Sequence, residues 1–103
     1  MPQRITIARI EDVPPGRGLA VDVEGLRIAV FNVDGKYYAI DDTCTHAEAS
    51  LSEGMIDGTT VECPLHGARF DLITGMVVGP PADRPVMAYK VHVAHNEIQI
   101  ELE

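Results

Sequence analysis

Between residues 18 and 41 the chain repeats one device: a short run with an apolar residue at every second position, then a glycine-containing turn. Leu19, Val21 and Val23 lead into Glu24-Gly25; Leu26, Ile28 and Val30 follow, alternating with Arg27, Ala29 and Phe31, and lead towards Asp34-Gly35. A period of two is that of a strand with one buried and one solvated face. Asp-Gly between such runs favours a tight hairpin, because both residues tolerate the positive φ of primed turns. The device returns at the C-terminus, where His95-Asn96 precedes Ile98, Ile100 and Leu102, and turn pairs also stand at Asp57-Gly58 and Thr74-Gly75. Further strands are expected near 3–10, 36–41, 59–63, 67–72 and 86–93, with loops at Pro14-Pro15-Gly16 and Gly79-Pro80-Pro81. No window of ten or more residues carries a helical period. The expectation is an all-β chain, an antiparallel sandwich or small barrel, and at 103 residues a single domain spanning 1–103.

Charge and composition narrow the function. The net charge of −8 argues against nucleic-acid binding, which needs a basic face, and against an anionic membrane surface. A hydrophobic content of 46% is too high for disorder. No apolar run approaches the roughly 20 residues of a membrane-crossing helix, and Met1-Pro2-Gln3-Arg4-Ile5 opens no signal peptide. A cytoplasmic location is the default expectation, and disulfides are rare there. The two cysteines are then core residues or ligands, with one disulfide as the remaining option.

Residues 42–58 break the strand pattern: they are polar, aperiodic and long for a connection. Within them lies Cys44-Thr45-His46, and 16 residues separate His46 from Cys63-Pro64-Leu65-His66, so both cysteines sit in a C-x-H-x16-C-x2-H pattern. Three readings compete. Two buried cysteines could have chance histidine neighbours. A structural zinc takes four Cys/His ligands, although its fingers usually pair Cys with Cys and His with His. A [2Fe-2S] centre with two thiolates on one iron and two imidazoles on the other needs one Cys and one His from each loop, which is the pattern here.

Cys44-Thr45-His46 and Cys63-Pro64-Leu65-His66-Gly67 resemble the two ligand loops of Rieske proteins. Phe70-Asp71, Thr74-Gly75 and Gly79-Pro80-Pro81, similar to that family's proline loop, extend the resemblance over nearly the whole chain. It implies a cluster-binding subdomain at about 42–82, built from two ligand loops and a proline loop. It also implies one [2Fe-2S] cluster on Cys44, His46, Cys63 and His66. Departures from the respiratory and photosynthetic members set the subtype. Their two additional cysteines form a clamping disulfide; Ala49 and Leu65 stand at those positions. Their Ser and Tyr hydroxyls donate to cluster sulfur; Ala68 and Phe70 stand there. Without these donors the reduced form is less stabilised, and a potential near the low end of the Rieske range follows, roughly −150 mV rather than +300 mV.

This subtype is similar to the ferredoxins of bacterial aromatic-ring-hydroxylating dioxygenase systems. The resemblance implies a non-enzymatic, low-potential one-electron carrier in aromatic hydrocarbon catabolism. It would pass electrons from a flavin-containing NAD(P)H reductase to a terminal Rieske non-haem iron oxygenase, as a cytoplasmic monomer with transient partners. The small Rieske subunit of an assimilatory nitrite reductase-like oxidoreductase and a zinc-stabilised β module stay open. His92 and His95, at a strand end and turn, are expected to be exposed turn histidines rather than part of a second iron site. The electron is expected on the iron bound by His46 and His66, with a potential that falls with pH once these imidazoles deprotonate. No Lys or Arg lies between Lys36 and Arg69, while Asp41, Asp42, Glu48, Glu53, Asp57 and Glu62 do. That stretch is either a solubilising surface or a steering patch for basic partners.

Overall fold

The computed structural model describes residues 3–45, 49–65, 67–80 and 84–102. Among these residues eleven strands form three antiparallel sheets. β1 (Gln3–Arg9), β11 (Glu97–Leu102) and β10 (Val91–Ala94) make the first, in that order. The second runs β2 (Gly18–Val23), β3 (Leu26–Val33), β4 (Lys36–Asp41) and β9 (Ala88–Tyr89). The third is β5 (Met55–Asp57), β6 (Thr60–Glu62), β7 (Arg69–Asp71) and β8 (Val77–Gly79). Among the described residues the only helical pieces are 3-10 turns at Ile10–Asp12 and Leu51–Glu53, and no helix is long and apolar enough to cross a membrane.

The turn reading holds at the backbone level. Glu24, Gly25, Asp34, Gly35, His95 and Asn96 all have positive φ, as primed hairpin turns require. The alternation on β11 also holds: Ile98 and Ile100 are buried, and Glu97, Gln99 and Glu101 are less so.

β3 corrects the expectation of one solvated face. Residues 28–32 are all buried. Ile28 and Val30 pack with Val13, Ala39, Ile98 and Ile100, while Ala29 and Phe31 pack with Ile40, Leu51, Val61, Phe70, Leu72 and Val86. The middle sheet is therefore covered on both sides. Ala29 and Phe31 carried the signal, being apolar themselves, but alternation with Ile28 and Val30 masked it. The strand expected at 86–93 is another correction. It is two strands, divided at Lys90: β9 pairs with β4, whereas β10 pairs with β11. Residues 42–58 are not one loop, since they hold the 3-10 turn at Leu51–Glu53 and strand β5. Gly79 ends β8 rather than opening a loop.

Candidate metal centre

Both cysteines stand at the necks of loops built in the same way. Cys44 lies three residues after β4, and its N–H donates to the Ala49 carbonyl at 3.0 Å. Cys63 follows β6 directly, and its N–H donates to the Ala68 carbonyl at 2.6 Å. In each case the bond closes a six-residue span that contains one histidine in sequence. His46 and His66 themselves lie outside the described residues, as does Pro81. Gly79 and Pro80 of the expected proline loop are described, Pro80 being exposed.

The two thiols are free and buried (3% and 1% exposed), and both belong to one buried cluster. Burial pushes the Cys63 thiol up, and the neighbouring Cys44 pushes it the same way, against a backbone N–H of Leu65 directed at the sulfur. Leu51, Val61, Ala68 and Phe70 belong to the same buried cluster. Two thiols kept from water in one cluster suit a soft cation that both would bind as thiolates. Among the described residues no group of three or more His, Cys, Asp or Glu converges on a metal position. The residues that would complete a Cys2His2 set are the two histidines outside that description.

The resemblance-based substitutions fall where they matter. Ala68 and Phe70 are both fully buried, so neither position offers a hydroxyl and the lining there is apolar. The Thr45 hydroxyl donates to the Arg84 carbonyl at 2.7 Å, joining the first loop to the segment after the prolines. That segment is further bound to the end of β4. The Asp41 N–H donates to the Met87 carbonyl (2.9 Å), the Met87 N–H to the Asp41 carboxylate (3.1 Å), and the Tyr89 hydroxyl to the same carboxylate (2.6 Å).

Burial and then Asp41 hold the Tyr89 phenol well above its usual range. A raised acid pKa means that stability is fully present below the unfolded value of about 10 and is lost as pH rises beyond it. Tyr89→Phe is expected to cost about 1 kcal/mol at pH 7 and to flatten the alkaline fall in stability above about pH 10. Chemical denaturation of both proteins across that range checks both effects. A variant with an unchanged alkaline limb would count against the Tyr89–Asp41 bond.

The acidic stretch is partly committed to structure. Asp42 is fully buried and receives the Arg27 Nε at 2.8 Å. Burial pushes its carboxyl up, but hydrogen bonds from Arg27, Ser52 and Ser50 outweigh that and hold it below the ordinary range. Glu62 pairs with Arg69 at 3.4 Å, and Asp41 is occupied as described. Glu53 and Asp57 are exposed, and Glu48 lies outside the described residues. Any steering by this stretch is therefore weaker than six free charges would suggest. His92 bonds the Glu101 carboxylate through Nε2 at 2.7 Å, and His95 occupies a turn at φ +54°.

Sequence reasoning missed the partners of these groups. Arg27 and Arg84 lie 15 and 39 positions from the residues they meet, and no local signal marks them.

This arrangement, an antiparallel β fold with paired thiols at the necks of two like loops, is that of a small iron–sulfur domain. The chain belongs to the Rieske [2Fe-2S] domain family, whose model matches residues 3–90. That family carries a [2Fe-2S] cluster on Cys and His ligands. A ferredoxin subunit of 3-phenylpropionate/cinnamic acid dioxygenase from Escherichia coli K12 is 48% identical over 100 residues, covering 96% of this chain and 93% of the relative. The ferredoxin of carbazole 1,9a-dioxygenase from Nocardioides aromaticivorans IC177 superposes with a TM-score of 0.90 at 37% identity, covering 95% and 96% of the two chains. A solved complex of reduced oxygenase and oxidised ferredoxin in carbazole 1,9a-dioxygenase contains a chain that matches at 38% identity and a TM-score of 0.86, covering 94% of this chain and 91% of that one.

Proposed function

We propose that this protein is a low-potential one-electron carrier of an aromatic-ring-hydroxylating dioxygenase system, with Cys44, His46, Cys63 and His66 as its [2Fe-2S] ligands. In this role it accepts an electron from a flavin-containing NAD(P)H reductase and delivers it to a terminal oxygenase, working as a cytoplasmic monomer. The whole of 1–103 then acts as one Rieske domain, with about 42–82 as its cluster-binding part. The observation that carries the reading is the pair of free, buried thiols that stand at the necks of two like-built loops and share one buried cluster. The dioxygenase ferredoxins among its relatives support the role, and the ferredoxin–oxygenase complex supports the acceptor.

When bound, the cluster supplies a site that holds and releases a single electron. The chain's own residues do the rest. Phe70, Leu51 and Val61 exclude water from the thiol side. The Leu65 N–H directed at the Cys63 sulfur offsets part of the negative charge there. Ala68 and Phe70 add no donor, which leaves the reduced state less stabilised than in hydroxyl-bearing relatives.

Two measurements test the reading. A purified protein with Rieske-type absorption and a reduced-form EPR signal supports it, whereas a colourless zinc protein rejects it. Voltammetry should place the potential near the low end of the family's range, roughly −150 mV; a value on the positive side would reject the low-potential assignment. Purification in a stable complex with a large subunit would favour the nitrite reductase-type alternative.

A further inference from the structure

The two proposed ligand loops have like necks but unlike supports. The second is the connection of a hairpin: β6 and β7 flank it and pair as Thr60–Asp71, Val61–Phe70 and Glu62–Arg69, so a continuous ladder runs up to Cys63 and away from Ala68. Among the described residues the first has only a single bridge in place of that ladder. β4 leads into it, a 3-10 turn follows it, and between them stand one isolated bridge, Thr43–Ser50, and the Cys44–Ala49 bond. Ala49 and Leu65 also leave no side chains from which a disulfide could tie the loops together.

At the base of this more lightly paired neck lies Asp42, with every polar group engaged. Its N–H donates to the Arg27 carbonyl (3.0 Å), and its carbonyl accepts from the Leu51 N–H (2.6 Å). One carboxylate oxygen accepts from Arg27 Nε (2.8 Å) and the other from the Ser52 N–H (2.9 Å). Arg27 belongs to β3, in the middle of the molecule; Leu51 and Ser52 belong to the turn by which the chain leaves the loop. One fully buried carboxylate thus joins the entry of the loop, its exit and the central sheet.

We propose that Asp42 is the positioning residue of the first ligand loop, doing by its bonds to Arg27, Leu51 and Ser52 what the β6–β7 ladder does for the second. The inference rests on the ligand assignment proposed above. Only the carboxylate of this pair is buried, the Arg27 side chain being 53% exposed, and a half-exposed ion pair adds little to stability by itself. Its value here is geometric: it fixes the separation of residues 42 and 52, and with it the place of Cys44 relative to Cys63. Groups that orient metal ligands in this way commonly change metal retention 10- to 100-fold when removed.

The test uses the cluster-loaded protein as purified, with Asp42→Ala, Asp42→Asn and Arg27→Ala. The rate of cluster loss under chelator challenge is followed by visible absorbance, and the reduced-form EPR spectrum and melting temperature are recorded beside it. Asp42→Ala is expected to lose the cluster at least about tenfold faster than the parent and to broaden the EPR lines. Asp42→Asn keeps the shape and the Ser52 acceptor and is expected to lie in between, with Arg27→Ala close to it. Ile100→Val, in the core cluster on the opposite side of the middle sheet, is the control for general destabilisation. Its EPR spectrum and loss rate should stay those of the parent. If Asp42→Ala folds poorly, the Asn and Arg27 variants carry the same comparison. Parent-like loss rates and spectra in the Asp42 and Arg27 variants would overturn the proposal. So would faster loss that Ile100→Val reproduces at an equal drop in melting temperature. Cys44→Ala separates the two levels: if it keeps its cluster, the ligand assignment fails; if it loses the cluster while Asp42→Ala does not, the positioning role alone fails.

Discussion

Cys63→Ala is expected to yield a folded, colourless protein whose iron content falls by at least about tenfold and whose reduced-form EPR signal is absent. The fold should survive, because Cys63 sits in an apolar cluster, where a buried thiol behaves as a small hydrophobe. The Cys63 N–H to Ala68 carbonyl bond is backbone and does not depend on the side chain. What is lost is the thiolate. Cys44 would remain as a lone buried thiol, unable to hold the thiolate-bound iron with its partner gone. Iron and sulfide analysis together with circular dichroism checks this. A variant retaining full iron would remove Cys63 from the ligand set, and one that failed to fold would make the thiol structural rather than ligating.

Gly75→Ala is expected to be the most destabilising single methyl addition considered. Gly75 is buried, has φ +79°, and donates to the Asp71 carbonyl at 2.8 Å while accepting from the Val86 N–H at 2.9 Å. A Cβ built on it would lie 2.1 Å from the Val86 carbonyl oxygen, a backbone atom. The left-handed conformation costs an L residue about 1–2 kcal/mol, and forcing the Val86 backbone aside adds about 1–3 kcal/mol. At roughly 4–8 °C per kcal/mol for a domain of this size, melting should fall by roughly 10–40 °C. Gly58→Ala is the comparison: its φ is +60°, but nothing lies within 4 Å of its Cβ position, so only the conformational cost applies. Equal melting temperatures for the two variants would show that the Val86 contact yields without cost. The effect should reach the site as well, since Val86 follows Arg84, whose carbonyl receives the Thr45 hydroxyl.

The hairpin turns were legible because their chemistry is local. Positive φ at two adjacent positions selects Gly, Asn, Asp and few others, so Asp34-Gly35 and His95-Asn96 declared themselves. The fold class and the paired Cys/His doublets were legible for the same reason, each lying within a few residues. Strand β3 was misread because period two reports which face is more apolar, not whether the other is covered. The run 86–93 was misread because nothing in Ala88–Val93 says that the chain changes sheets at Lys90. The 3-10 turn and β5 were hidden in a polar segment whose pairing partner, β6, supplies their reason to exist.

By itself, then, the sequence determined the strand-and-turn character of the chain, the pairing of each cysteine with a histidine, and the absence of the clamp and hydroxyl donors at Ala49, Leu65, Ala68 and Phe70. Spacing and side-chain chemistry are properties of neighbours along the chain. Only the tertiary structure decided that Cys44 and Cys63 share one buried cluster, that Asp42 is a buried anchor rather than a surface charge, and that Val86 closes on Gly75. Each of these depends on residues 11 to 19 positions apart meeting in space. Such meetings are set by which sheet covers which, through the burial of Phe31, Leu51 and Phe70 in one shared core, and the order of neighbours does not say which of these residues meet.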